Sequence, residues 1–298
     1  MRPAEPFAVY AIRYACTERR LHEIFIGGDP HQGPIGMDYF VWAAISRSRS
    51  FVIDTGFNAA AAARRKRQFL RDPAEGLKLL GLDPGKVADV VITHLHYDHV
   101  GNFDRFPAAT FHLQDREMAF ATGRHMGHAA LNAAFDVEDV VGMVRQVYKG
   151  RVRFHDGAAE LAPGFSLHRV GGHTAGLQVV RLWTRRGWMV LASDASHFYA
   201  NMEEGRCFPI VFHVGDVLDG YRKLGELAAS PSHIIPGHDP LVMARYPAPS
   251  AKLRGIVARL DSDPGKKPEP GKNLEPGKYP GPGKNLGTVR NSKPRRTR

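Results

Sequence analysis

The chain is 298 residues long and 43% hydrophobic, enough to close a core as one large domain or two small ones. No segment approaches a membrane span, the opening MRPAEPFAVYAIRYACTERR lacks the continuous apolar stretch of a secretory signal, and Cys16 and Cys207 cannot build a disulfide framework, so the chain reads as cytoplasmic. The formal net charge of +11 would suit a nucleic-acid partner, but it is unevenly spread.

In chain order, FAVYAIRY (7–14), DYFVWAAIS (38–46) and FVIDTG (51–56) are predicted strands. Asp72-Pro73-Ala74-Glu75 supplies an N-cap, a first-turn proline and a capping-box glutamate, which predicts a helix through Leu80, closed by Gly81. DVVITH (89–94) is apolar enough for a strand buried on both faces, and it delivers His94 at its C-terminal end, where layered α/β folds gather functional residues. Between 114 and 150 the pattern is helical, and Val137, Val140, Val141 and Val144 form a stripe expected to pack into a core or a lid. FSLHRV (165–170), GLQVVRLWT (176–184) and WMVLASD (188–194) are predicted strands. A helix in DVLDGYRKLGELAA and a last strand at HIIPGH follow. Strands alternating with helices predict an α/β fold.

The basic excess lies at the end: ten Lys/Arg face three Asp/Glu between 262 and 298, while 31 face 27 before that. Pro-Gly-Lys recurs at 264, 270, 276 and 282, a six-residue period with almost nothing apolar to bury. Proline removes backbone donors and glycine raises the entropy of ordering, so 262–298 is expected to be a disordered basic tail behind a folded domain of residues 1–261.

His94-Leu95-His96-Tyr97-Asp98-His99 packs three histidines and an aspartate into a loop that leaves a strand. Imidazole and carboxylate are ligands for zinc, iron or manganese, whereas a purely structural zinc site favours thiolates. Downstream come His173 in GGHTAG, the strand-terminal Asp194 in LASDAS and His238 in PGHD. Each alone is a weak signal, because an isolated histidine is more often packed or solvated than a ligand. The ordered set is what points to a metal site.

That set resembles the metallo-β-lactamase superfamily, and the match runs over most of residues 7–245. The resemblance implies a four-layer αββα sandwich in residues 1–261. It implies that His94, His96 and His173 hold one divalent metal ion and Asp98, His99 and His238 a second, with Asp194 bridging both. Zinc is the first expectation, with iron, manganese or cobalt as alternatives. Asp54, in DTGF, matches an aspartate that orders the ligand loop without being a ligand. The spacing and the text SDASHFYANM are most similar to N-acyl-homoserine lactonases and their relatives, including pyridoxolactonases. Those lactonases usually carry a tyrosine three residues after the bridging aspartate, where this chain has His197, with Tyr199 two further on.

The resemblance implies hydrolysis of a small-molecule lactone by a hydroxide shared between the ions, with Asp98 relaying a proton to the departing ring oxygen. His197 and Tyr199 are candidate donors to the developing oxyanion. Met37, Tyr39, Phe198 and Met202 are candidate pocket residues, and His213 is an ambiguous further one. A glyoxalase II-like thioester hydrolase, drawing on Lys252, Arg254 and Arg259, is the nearest rival. A nuclease is disfavoured by the balanced charge of the body. A reading of another class makes the tail an adaptor for an acidic partner or nucleic acid. A homodimer is compatible with the sequence, and no membrane partner is expected.

Overall fold

The computed structural model describes residues 5–265. The Pro-Gly-Lys repeats, with the disorder expected of them, lie outside the described residues from 266 onward. The four residues before that are anchored: Gly265 N donates to Arg245 O (2.7 Å), and Asp263 lies 3.3 Å from Arg186.

The strands are β1 (Ala8–Arg19), β2 (Ile35–Ile45), β3 (Ser50–Ile53), β4 (Gln68–Phe69), β5 (Asp89–Val91), β6 (Thr110–Gln114), β7 (Val152–His155), β8 (Ala158–Ala162), β9 (Phe165–Arg169), β10 (Gln178–Thr184), β11 (Gly187–Ser193), β12 (Ile234–Pro236) and β13 (Val257–Arg259). Among the described residues they form one sheet of eight strands, ordered β13-β1-β2-β3-β5-β6-β7 with β4 on β1, and one of five, ordered β12-β11-β10-β9-β8.

Side chains alternate across a strand, so each central strand feeds two cores. Phe40, Trp42 and Ala44 of β2 point between the sheets, where they meet Phe165, Leu167, Leu182 and Leu191. Tyr39, Val41 and Ala43 point the other way and are covered by helices Ala59–Arg64, Pro73–Lys78, Asp115–Ala121 and Val137–Tyr148. Val179, Val190 and Ala192 on the outer face of the second sheet pack on Leu224 of helix Val214–Leu227. Two sheets face to face, each backed by helices, make the expected αββα sandwich. No helix among the described residues is long and apolar enough to cross a membrane.

The predicted start of the helix at 73 holds locally: Asp72 accepts hydrogen bonds from Ala74 N and Glu75 N, and the helix ends at Lys78. The valine stripe is corrected. Val140 is buried and Val141 and Val144 are half-buried, while Val137 is 69% exposed, because Asp136 caps the helix and leaves Val137 in its solvent-facing first turn.

The Phe51 and Phe165 rings stack with centroids 4.0 Å apart between the sheets. Phe165→Ala is therefore expected to lower the free energy of unfolding by about 3–5 kcal/mol in chemical denaturation. Tyr148→Ala, at a residue that is 90% exposed, should change it by less than about 0.5 kcal/mol.

Candidate metal centre

Strand direction gathers the site. β3 and β5 run parallel, as do β11 and β12, and β9 runs with β11 because both are antiparallel to β10. The loops after β3, β5, β9, β11 and β12 carry Asp54, His94 to His99, His173, Asp194 and His238 to one junction between the sheets. The chain after β5 crosses that junction: Ile92 N still donates to His112 O, but Thr93 O already accepts from Gln178 N of the second sheet.

All seven ligand candidates are buried, none more than 8% exposed. His94, His96 and His173 bring one donor atom each within 4.8 Å of one another, and so do Asp98, His99 and His238. In the first set, His96 Nδ1 lies 3.0 Å from His94 Nε2 and 2.9 Å from His173 Nε2. Asp194 stands between the sets, its Oδ2 within 3.3 Å of both His173 Nε2 and His238 Nε2. Its Oδ2 is 3.3 Å from His173 Nε2, and its Oδ1 is 3.3 Å from His99 Nε2 and 3.1 Å from His238 Nε2.

The opposite ring nitrogens are held from behind. His99 Nδ1 donates to Asp54 (2.7 Å), His173 Nδ1 to Ile210 O (2.6 Å) and His238 Nδ1 to Asp38 O (2.8 Å). Each bond leaves the Nε2 lone pair facing the cluster, the tautomer a metal ligand needs. Asp54 also accepts from Thr93 N and Thr93 Oγ1, at 2.7 and 2.8 Å, which ties the start of the ligand loop to the histidine at its end. Tyr14 donates to Asp98 O, and Thr55 donates twice to His99 O.

His99 Nε2 and Asp194 Oδ1 are buried without a hydrogen-bond partner. Orphaned polar atoms of this kind cost stability unless something satisfies them, and a divalent cation between them would satisfy both. The donor set, imidazole and carboxylate with no thiolate, fits zinc, iron or manganese.

Charge divides the cluster. Burial, then neighbouring imidazoles, hold His94 and His96 well below the usual imidazole range. Burial pulls His99 the same way, but Asp194, Asp54 and Asp98 outweigh it and lift it well above that range. Burial would raise Asp194, yet His238, His99 and His197 outweigh it and keep its carboxyl well below the ordinary range. Burial therefore favours the neutral ring at His94 and His96, while the carboxylates around His99 favour its charged form, and a cation bound there would take the place of that positive charge.

The structure brings His197 into this cluster, beside Asp194 and His173. His197 Nε2 is 3.0 Å from Asp194 Oδ2, and its ring stacks on Phe208 with centroids 3.6 Å apart. Tyr199 is placed differently from His197. Its ring belongs to the core between the sheets, under the Arg245 guanidinium, and burial followed by Tyr246 raises its phenol well above the ordinary range. Tyr199 is the first residue of helix Tyr199–Glu204.

His213 is an N-cap that accepts from Asp216 N. Met37 and Phe198 pack with Ile24 and Phe25, Tyr39 lies edge-on to His238, and Met202 packs against two cores. Arg259, counted towards a basic patch, is held by Asp261 at 3.0 Å.

Sequence reading missed Glu117, a buried carboxylate that touches two of the ligand loops, because a lone glutamate in a helical stretch looks solvated. It also missed the carbonyls of Ile210 and Asp38, which no side-chain pattern encodes.

With this geometry in place, the class is clear: the chain belongs to the metallo-beta-lactamase superfamily, which residues 35–251 match. It is similar to N-acyl homoserine lactonase AttM of Azorhizobium caulinodans, 32% identical over 170 residues that make up 55% of this chain and 62% of that protein. The chain spans less than two thirds of the length of such curated relatives. In three dimensions it is similar to the crystal structure of a quorum-quenching N-acyl homoserine lactone lactonase, with a TM-score of 0.68, 20% identity, and coverage of 80% of this chain and 95% of that one. It is also similar to AidC, a dizinc quorum-quenching lactonase in complex with a product, with a TM-score of 0.61, 16% identity, and coverage of 79% and 91%.

Asp54→Asn should weaken metal binding about tenfold to a hundredfold, since losing the partner of a ligating imidazole typically costs that much. Competition with a chromophoric chelator measures it, and an unchanged affinity would remove Asp54 from this role.

Proposed function

We propose that this protein is a dinuclear metal-dependent hydrolase that opens lactone rings, with N-acyl-homoserine lactones as the first substrate class. The observation that carries the proposal is Asp194, whose Oδ2 reaches His173 of the first set and whose Oδ1 reaches His99 and His238 of the second, with His238 also 3.3 Å from Oδ2. One carboxylate turned to two complete donor sets is the arrangement two cations would share. Zinc is the ion proposed, with iron, manganese or cobalt also suited to these donors. Similarity to relatives named N-acyl homoserine lactonase supports the substrate class.

Two divalent ions held there would polarise a carbonyl and bring a water molecule within reach of ionisation at neutral pH. The chain's own residues do the rest. Asp98, with Oδ2 3.8 Å from both His99 Nε2 and His238 Nε2, is placed at the edge of the second set to carry a proton from the attacking water to the ring oxygen that leaves. Water adds to the lactone carbonyl, the ring C–O bond breaks, and the product is a hydroxy acid. His197, fixed between Asp194 and Phe208, is the further imidazole grouped with these ligand candidates among the described residues.

Purified protein should carry about two divalent ions per chain and lose lactone hydrolysis on chelation. A panel of acyl-homoserine lactones, other lactones, thioesters and β-lactams reads the substrate. Turnover of the first group should depend on acyl length, since each buried methylene is worth about 0.8 kcal/mol. Thioester turnover without lactone turnover would replace the lactone assignment with the glyoxalase II-like one.

Asp98→Asn is expected to lower turnover about a hundredfold or more, beyond the loss in Asp54→Asn, and His197→Ala about tenfold to a hundredfold. Equal losses at Asp98 and Asp54 would take the proton away from Asp98.

A further inference from the structure

Glu117 lies in the first turn of helix Asp115–Ala121, directly after β6, and is 0% exposed. Its two oxygens reach two different ligand loops. Oε1 accepts from Leu95 N at 2.9 Å, between His94 and His96. Oε2 accepts from Thr174 Oγ1 at 2.6 Å and from Gly176 N at 3.0 Å, just past His173. Contact is close on the second side: a Cβ on Gly176 would lie 2.1 Å from Glu117 N. Only glycine there lets the His173 loop come down onto the carboxylate.

We propose that Glu117 is a positioning residue that clamps the His94/His96 loop to the His173 loop, and so sets cation affinity at that position separately from the Asp98/His99/His238 position. The claim rests on the dinuclear reading above. Its physical basis is that the three nitrogens of the first set come from two loops that leave different sheets, after β5 and after β9. Beyond any cation, a buried carboxylate taking three hydrogen bonds from both loops fixes their separation. The second position is held by other groups, Asp54 behind His99 and the Asp38 carbonyl behind His238.

An amide cannot replace this carboxylate. In Glu117→Gln the NH2 group must face either Leu95 N–H or the Thr174 and Gly176 donors, and donor then meets donor in a buried spot. One loop or the other is released.

The test titrates metal-stripped full-length protein with Zn2+ against a chromophoric chelator, which resolves two dissociation constants. Glu117→Gln should weaken one constant about tenfold to a hundredfold and leave the other within about threefold. Thr174→Val, which deletes one of the three bonds, should weaken the same constant by less. The assignment is made in a His173→Ala background, where the first position is already broken: adding Glu117→Gln should leave the surviving constant unchanged. A loss of affinity there too would mean general destabilisation and overturn the proposal. Unchanged constants in Glu117→Gln alone overturn the clamp while the dinuclear reading stands. A wild-type protein that binds a single ion overturns that reading, and the position-selective claim falls with it. If Glu117→Gln does not fold, Thr174→Val decides in the same titration, and unchanged constants there overturn the proposal.

Discussion

Six imidazoles and the carboxylates of Asp54, Asp98 and Asp194 are buried together at the junction of two sheets, and buried polar groups persist only when partnered. Most of the structure around the junction serves that requirement. Asp54 receives His99 and both donors of Thr93, backbone carbonyls receive His173 and His238, and Glu117 receives a backbone or hydroxyl donor from each of two loops. What is left unpaired, His99 Nε2 and Asp194 Oδ1, is what a cation would take up. Fold and site thus share one constraint: the polar interior is complete only around a positive charge.

Each donor set draws on both sheets. The first takes His94 and His96 from the loop after β5 and His173 from the loop after β9. The second takes Asp98 and His99 from the first loop and His238 from the end of β12. Separating the sheets would break both sets at once, so metal binding and sandwich stability are linked. Gln178 reinforces the junction, its side-chain amide donating to Ile92 O and His112 O in the opposite sheet. Two residues beside the ligands also depart from ordinary backbone geometry: Asp54 has φ 59° and Ser193 has φ 45°, values that non-glycine residues adopt at a cost. The hydrogen bonds of Asp54 and the pairing of β11 hold them there.

The strands were legible because their hydrophobic pattern is local, and most predicted spans overlap the observed ones. The ligand candidates were legible for a related reason, since four fall within six residues and the others sit at strand ends beside turn residues. Side chains whose direction depends on tertiary packing were less so. Val137 belongs to the valine stripe by spacing yet faces solvent, and Tyr199 stands two residues from His197 yet faces the inter-sheet core. Glu117 carried no usable signal, because its partners Leu95, Thr174 and Gly176 lie 22, 57 and 59 residues away.

By itself the sequence determined the alternation of strands and helices, the residue types able to hold a metal and their order along the chain. These follow from side-chain chemistry and from periods of two and 3.6 residues, which a chain displays without folding. Only the tertiary structure decided where Asp194 stands among the donors, which ring nitrogen of His99, His173 and His238 faces inward, and that His197 comes to lie beside Asp194. Those outcomes depend on backbone carbonyls and on contacts between residues far apart in sequence, and neither has a residue code.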